Sequence, residues 1–316
     1  MKKYCFGIDI GGTSVKCGFF NSQGTILDKW EIKTRTEDHG IYIIPDVAHS
    51  ILAKLEEKSI HKDEVIGIGI GVPGPVNDRG ELPTGAVNLH WGPKNLAKEV
   101  EELTGFITKV GNDANVAALG EMYQGGGKGY KNVILVTLGT GVGGGIIVDG
   151  KIVTGSHGAA GEIGHVHVER KETEICNCGN YGCLEQVASA TGIVRLAKRA
   201  LAACETPSIL RGRNLSAKAV FDAVKEGDEV AKLIAEDFGD YLGTALSVFA
   251  GVVDPEIFVI GGGVSKAGTI LIDYIKKYYQ RYAFRDCKNT EFSLAKLGND
   301  AGIYGAVKLI LDHHQQ

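Results

Sequence analysis

The chain has 316 residues, 44% apolar and 23% charged, with a net charge of −4. That is enough apolar sequence for two ordinary domains, and the mild acidity excludes the basic footprint of a nucleic-acid-binding surface. No apolar run nears the roughly 20 residues of a membrane helix, and the start, Met1-Lys2-Lys3-Tyr4, leads straight into a strand pattern without a signal-peptide core. Glycine is the outlier, 45 residues, about twice the usual ~7% share.

In chain order, Tyr4–Ile10 reads as a buried strand closing on Asp9-Ile10-Gly11-Gly12-Thr13-Ser14. Val15–Phe20 and Thr25–Thr34 complete a meander, with a turn at Asn21–Gly24. A helix is predicted over 46–58, after Pro45. Val65–Val72 is a strand with glycine at 67, 69 and 71, a spacing that asks for close approach of a backbone or a ligand. Pro73-Gly74-Pro75 breaks it. Residues 77–94 read as a long loop carrying Asn88 and Trp91, the tryptophan either a ligand wall or a surface anchor. A helix (95–104) and a short strand (106–110) lead to Asn112-Asp113 and a helix over 114–123. Asp113 fits an N-cap. It equally fits a ligand carboxylate at the carboxyl end of a strand.

The opening pattern then recurs. Val133–Leu138, the turn Gly139-Thr140-Gly141-Val142-Gly143-Gly144 and the strands after it repeat the first meander 128 residues on. A repeat of that size predicts a duplicated domain. Two facing domains would set two Gly/Thr turns on opposite walls of one cleft, each a nest of N–H groups for phosphate.

Gly161-Glu162-Ile163-Gly164-His165 follows, then Cys176-x-Cys178-x4-Cys183 and Glu185. Three thiols within eight residues, with histidines at 165 and 167, is ligand chemistry for a tetrahedral Zn2+. Such a site stiffens the loop that carries Glu162 and Glu185. The remaining cysteines, Cys5, Cys17, Cys204 and Cys287, sit in apolar or irregular surroundings, as reduced thiols do. Helices are predicted over 186–203, 216–226 and 228–250, the last with Gly239 and Gly243 four apart for a close neighbour. Ile257–Ile260 is a strand, and Gly261-Gly262-Gly263 opens a helix over 266–281, another ligand-type turn. A strand over 292–297 and a closing helix over 301–312 end the chain. Phosphate turns together with amide, carboxylate and imidazole groups suited to hydroxyls point to phosphoryl transfer from a nucleotide to a sugar.

These motifs resemble the ROK family (repressors, open reading frames and sugar kinases) over nearly the whole chain, from Asp9-Ile-Gly-Gly-Thr13 to Asn299-Asp300-Ala-Gly302. Cys176-x-Cys178-Gly179-x-x-Gly182-Cys183-x-Glu185 is the most specific match, and its surroundings are most similar to the ATP-dependent glucokinases of that family. The resemblance implies an α/β protein of the two-domain actin-like (ribonuclease H-like) ATPase fold, with duplicated β-meander/α domains and an inter-domain cleft. The domains would be residues 1–113 plus 300–316, and 114–299 with the zinc loop. It implies ATP-dependent phosphorylation of glucose at the 6-hydroxyl, with Asp113 as general base. Gly74, Asn88, Asn112, Glu162, His165 and Glu185 would line the sugar site. Gly11, Gly12, Thr13, Gly139, Thr140 and Gly141 would hold the ATP phosphates, Asp9 would position Mg2+, and Gly261, Gly262 and Gly263 would flank the adenosine. His165, Cys176, Cys178 and Cys183 would hold structural Zn2+. The implied partners are a hexose and ATP, with no nucleic acid or membrane, in a cytoplasmic homodimer or homotetramer.

Three other readings compete. Kinases of this kind also act on N-acetylmannosamine, N-acetylglucosamine, fructose or allose, and polyphosphate is a further donor. Sugar-responsive repressors of the family carry a helix-turn-helix ahead of the kinase-like body, for which this sequence leaves no room before residue 4. A sugar-binding module without catalysis would have lost Asp113 or the phosphate turns, and both are present.

Overall fold

Two five-stranded sheets organise the chain in the computed structural model, which describes residues 2–315. The first contains β1 (Tyr4–Ile10), β2 (Ser14–Asn21), β3 (Ile26–Lys33), β4 (Val65–Val72) and β5 (Thr108–Asn112), in spatial order β3-β2-β1-β4-β5. The second contains β6 (Val133–Leu138), β7 (Val142–Val148), β8 (Lys151–Ile152), β9 (Ile257–Gly261) and β10 (Glu291–Leu294), in order β8-β7-β6-β9-β10. The two orders coincide strand for strand. In the first, β1, β4 and β5 are parallel and β1–β2–β3 antiparallel; in the second, β6, β9 and β10 are parallel and β7–β8 antiparallel. This is the duplication that laying Gly11 on Gly139 predicts, and it is the two-domain α/β architecture of the actin-like ATPases.

Eight helices of at least nine residues accompany the sheets among the described residues: α1 (Ile43–Glu57), α2 (Leu96–Thr104), α3 (Asp113–Gln124), α4 (Ala190–Ala203), α5 (Ala217–Lys225), α6 (Glu229–Val253), α7 (Thr269–Tyr282) and α8 (Ala301–Gln315). The chain forms two compact units. One is Met1–Gly129, Gly145–Gly161 and Asn299–Gln316; the other is Tyr130–Gly144 and Glu162–Gly298.

In the first unit the alternate glycines of β4 explain the packing. A Cβ on Gly69 would lie 1.7 Å from the Ala306 carbonyl oxygen, and one on Gly67 would lie 2.7 Å from Ile310 Cδ1. At Gly69 the close element is thus the backbone of helix α8, and at Gly67 it is the Ile310 side chain of α8 with the Ile107 carbonyl oxygen, 2.5 Å away. Helix α8 meets α3 in the same way: a Cβ on Gly305 would lie 1.7 Å from the Val116 carbonyl oxygen, and one on Gly120 2.1 Å from that of Ala301. Close-packed interiors of this kind tolerate no added methyl, so α3 and its first residue, Asp113, are rigidly seated. Across the sheet, Phe6, Ile8, Ile68 and Ile70 pack with Ile44, Val47 and Ile51 of α1. Pro45 falls in the first turn of α1, where its missing N–H costs no helix bond; the helix starts at Ile43, slightly before the predicted 46.

The stretch 77–94 is more ordered than a loop. Glu81–Leu82 pairs antiparallel with Lys94–Asn95. Trp91 is neither a ligand wall nor a surface anchor: it is buried, and its Nε1 donates to the Gly40 carbonyl at 2.9 Å.

In the second unit, Gly239 and Gly243 of α6 admit α7, with the Tyr274 and Ile275 carbonyl oxygens 2.6 and 2.5 Å from where a Cβ would sit. Two expectations need correction. The helix predicted over 186–203 is broken at Ser189, which is extended (ψ 172°) and caps α4 by accepting from Gly192 N at 2.9 Å. The helix expected directly after Gly261–Gly263 is a 3-10 turn, Gly263–Ala267, and α7 begins only at Thr269. Gly268 lies between them at φ +89°, a conformation that ends one helix and starts another. The three glycines therefore do not open an α-helix.

Candidate active site and metal centre

In the first unit, β1 delivers Asp9 and the turn Gly11–Thr13. The turn is tied to the end of β3: Thr34 Oγ1 donates to the Gly11 carbonyl at 2.6 Å, and Thr34 N to the Thr13 carbonyl at 3.1 Å. Gly12 is exposed, and the nearest atom to a Cβ built on it is the Asn88 carbonyl oxygen, 3.7 Å away. The structure thus brings Asn88 beside the first phosphate-type turn.

The N-cap at the end of β5 is Asn112, not Asp113. Asn112 Oδ1 accepts from Ala114 N (3.1 Å) and Asn115 N (3.2 Å), while its Nδ2 donates to the Gly74 carbonyl (3.1 Å) and to Asp113 Oδ1 (3.1 Å). The amide is spent on holding Gly74, α3 and Asp113 together. Asp113 Oδ1 also accepts from Ala114 N at 2.9 Å. Burial pushes the Asp113 carboxyl above its usual range, and the Ala114, Asp113 and Asn112 N–H donors pull it partly back. A carboxylate held at one oxygen in a partly dry site has the makings of a general base.

Asp9 lies in the same neighbourhood. Burial raises its pKa to about 6, opposed by Lys16 and reinforced by the charge of Asp113. Helix α8 presses on it, with the Asp9 Cγ 2.5 Å from where a Cβ on Gly302 would be. The folded chain keeps the Asp9 proton to about pH 6, while the unfolded chain releases it near the ordinary aspartate value of 3.8. Stability therefore falls as pH rises through that window and is level above it. Asp9→Asn removes the penalty. The variant is expected to be more stable at pH 7 by on the order of 2–3 kcal/mol, with the difference vanishing below pH 4. Calorimetry of both proteins from pH 3.5 to 8 checks this, and equal melting temperatures at pH 7 would contradict it.

In the second unit the turn Gly139–Gly141 is pinned from the start of α4. Ala190 N donates to the Gly139 carbonyl (2.8 Å) and Thr191 Oγ1 to the Thr140 carbonyl (2.9 Å). Those bonds leave Gly139 open, since a Cβ there would meet nothing within 4 Å. Val142, next in sequence, joins the turn to the cysteine loop. Its N–H donates to Glu185 Oε2 at 3.0 Å, and its carbonyl oxygen is 2.0 Å from where a Cβ on Gly164 would lie.

His165, Cys176, Cys178 and Cys183 converge, their ligand atoms all within 4.8 Å of one another. Cys178 Sγ is 3.6 Å from Cys183 Sγ, and Cys176 Sγ is 3.7 Å from His165 Nδ1. A tetrahedral zinc with Zn–S bonds of about 2.3 Å spaces its sulfurs by about 3.8 Å, so this donor set fits the ion. His167 is not in the group; its Nδ1 is 2.9 Å from the Tyr181 carbonyl oxygen. With Nδ1 of His165 toward the thiols, its Nε2 is 3.9 Å from Glu162 Oε2. All seven cysteines are free of disulfides.

Beyond the turn, Ala190 shares a cavity of about 300 Å3 with Gly263, Val264, Ser216, Lys218 and Phe221. Gly262 adopts φ +81° and lies against the end of β6, the Leu138 carbonyl oxygen being 2.5 Å from where its Cβ would be. Sequence reasoning found these glycines but missed Lys218 and Phe221 of α5 and Ser216, which caps it, together with Ser189, Thr191 and Val142. Ser189 and Ser216 left a readable signal, each a serine at a helix start whose side chain accepts the N–H three residues on.

Comparison with known proteins is decisive at family level. The ROK family model matches residues 5–313. The chain belongs to the ROK family. It is 43% identical to a glucokinase of Halalkalibacterium halodurans over 98% of this chain and 95% of that protein. The crystal structure of a ROK family glucokinase from Streptomyces griseus, in complex with glucose and AMPPNP, superposes with a TM-score of 0.71 and 34% identity, covering 97% and 98% of the two chains. The ROK hexokinase of Thermus thermophilus superposes with a TM-score of 0.82 at 28% identity, over 99% and 100%. Among the described residues, no helix of this family member is long and apolar enough to cross a membrane.

Proposed function

We infer that this chain is a glucokinase: it transfers the γ-phosphoryl group of ATP to the 6-hydroxyl of glucose, releasing glucose 6-phosphate and ADP. The observation that carries the reading is the fixed, partly buried carboxylate of Asp113, in a chain 43% identical to a glucokinase. Asp113 takes the proton of the 6-hydroxyl as that oxygen bonds to phosphorus and the γ-phosphoryl bond to ADP breaks. Phosphoryl transfer asks for alignment and charge neutralisation more than for covalent help. Gly11–Thr13 and Gly139–Gly141 supply N–H groups to the phosphates, and Gly261–Gly263 with the cavity beside Phe221 take the adenosine. Asp9 holds Mg2+, which neutralises phosphate charge; the raised pKa of Asp9 supports that role, since a nearby cation restores the ionised form.

Gly74, Asn88, Asn112, Glu162, His165 and Glu185 are assigned to the sugar pocket, Asn112 chiefly by fixing Asp113. His165, Cys176, Cys178 and Cys183 hold a structural zinc, which keeps Glu162, His165 and Glu185 in place. The protein acts in the cytoplasm as a homodimer or homotetramer; Val248 and Val252, exposed one turn apart on α6, support self-association.

The test is ADP release measured over a panel of glucose, N-acetylglucosamine, N-acetylmannosamine, fructose and allose with MgATP. Glucose is expected to exceed every other sugar in kcat/KM by at least about tenfold, the discrimination that lost or clashing polar contacts readily supply. A higher kcat/KM for an N-acetylated hexose would replace this reading by its nearest alternative.

A further inference from the structure

A second cavity, of about 280 Å3, lies along β5. It is lined by Lys109, Gly111 and Asn112 of that strand, by Asn115 of α3, and by Lys151 and Thr154. Asp9, Asp113 and the turn Gly11–Thr13 do not line it; Asn112 is the one assigned site residue at its wall, so the cavity adjoins the site described above from the other side of that residue. Asn115 is 4% exposed, and its side-chain oxygen is buried without a hydrogen-bond partner among the described residues. Such an orphan acceptor costs about 1–3 kcal/mol when nothing donates to it, which points to a ligand carrying an N–H or O–H. The charge of the cavity is positive on balance. Neither Lys109 nor Lys151 has an ion-pair partner among the described residues. Asp312, also at the wall, is paired with Lys308, and the remaining acid, Asp78, is exposed. β5 is the edge strand of its sheet, so its outward main-chain groups add further donors and acceptors.

We propose that this cavity binds a phosphorylated sugar, with the phosphoryl group on Lys109 and Lys151 and a sugar hydroxyl donating to Asn115 Oδ1, and that its occupancy slows catalysis. The path to the catalytic carboxylate is two bonds long. Asn115 N donates to Asn112 Oδ1, and Asn112 Nδ2 donates to Asp113 Oδ1. A ligand that draws on Asn115 shifts the amide that fixes Asp113. Only the regulatory half rests on the glucokinase reading, under which the product itself belongs to this ligand class.

Binding is measured by titration calorimetry of the full chain with glucose 6-phosphate, in the presence of excess glucose and AMPPNP to fill the active site. Binding is expected, at least tenfold weaker in Lys109→Gln/Lys151→Gln, a variant whose kcat and KM for glucose stay at the wild-type level. Asn115→Ala, checked for folding by circular dichroism, is expected to weaken glucose 6-phosphate several-fold while leaving the binding of inorganic phosphate unchanged. In turnover, inhibition by glucose 6-phosphate persists at saturating glucose in the wild type and disappears in the double lysine variant. Absence of binding with the active site filled, inorganic phosphate binding as tightly as the sugar phosphate, or wild-type binding by the double variant would overturn the site. Inhibition fully relieved by glucose would overturn the regulation. A chain that binds sugar phosphate here but does not phosphorylate glucose would defeat the functional reading and leave the site standing.

Discussion

Asp113→Asn is expected to lower kcat by about 10²–10⁴-fold, the usual contribution of a general base, with ATP affinity unchanged. The substitution keeps the shape of the side chain, and an amide oxygen at the Oδ1 position accepts the Ala114 N–H and Asn112 Nδ2 bonds as the carboxylate does. What is lost is a proton acceptor, so the defect should appear in kcat and spare nucleotide binding. The same carboxyl sets the acid limb of kcat/KM. Because burial lifts Asp113 above the ordinary aspartate range, that limb should lie at higher pH than a free aspartate would set. Rapid-mixing assays with tight control of pH, together with nucleotide titration of the variant, check both points. Activity within about tenfold of wild type would remove Asp113 from the role.

Cys183→Ser is expected to lower the zinc content from about one ion per chain and to reduce kcat/KM for glucose by about 10²-fold or more. Cys183 is fully buried, and its N–H donates to Gln186 Oε1 at 3.1 Å, so it anchors the closing end of the loop. Two residues on, Glu185 grips Val142 beside the Gly139–Gly141 turn. A displacement that begins at the metal thus reaches a proposed sugar ligand and the phosphate turn together, and a misplacement of about 1 Å is enough for a 10²-fold loss. Cys178→Ser, at an exposed position, serves as the companion variant that leaves the core untouched. Elemental analysis and kinetics of the wild type, both variants and chelator-treated protein decide the matter. A zinc-free wild type that is folded and fully active would contradict the metal reading.

Much of the architecture was legible because glycine records close approach. The repeated Gly/Thr turns announced two sheets of one topology, and Gly67 and Gly69 recorded the path of α8, although only the structure names the helix. Gly239 and Gly243 did the same for α7. The cysteine spacing was equally readable, since three thiols so close in sequence have few arrangements; the spacing alone did not choose between His165 and His167, which differ in the direction their rings take in the folded loop, and it was the family resemblance that named His165, the histidine found with the thiols. Asn112 and Asp113 show a second limit. Adjacent Asn and Asp at a strand end both favour an N-cap, and only the hydrogen bonds assign the cap to Asn112 and free Asp113 for chemistry. Trp91 shows a third, since its burial against Gly40 depends on residues 51 positions away in sequence. Lys218 and Phe221, which line the cavity proposed for the adenosine, left no trace, as ordinary members of an amphipathic helix.

The most direct measurement is a crystal structure of this chain with glucose and AMPPNP. The account requires the 6-oxygen of the sugar within about 2.6–3.2 Å of an Asp113 carboxylate oxygen, facing the γ-phosphoryl group. A glucose whose 6-oxygen sits outside that reach, with another residue holding it, would contradict the account.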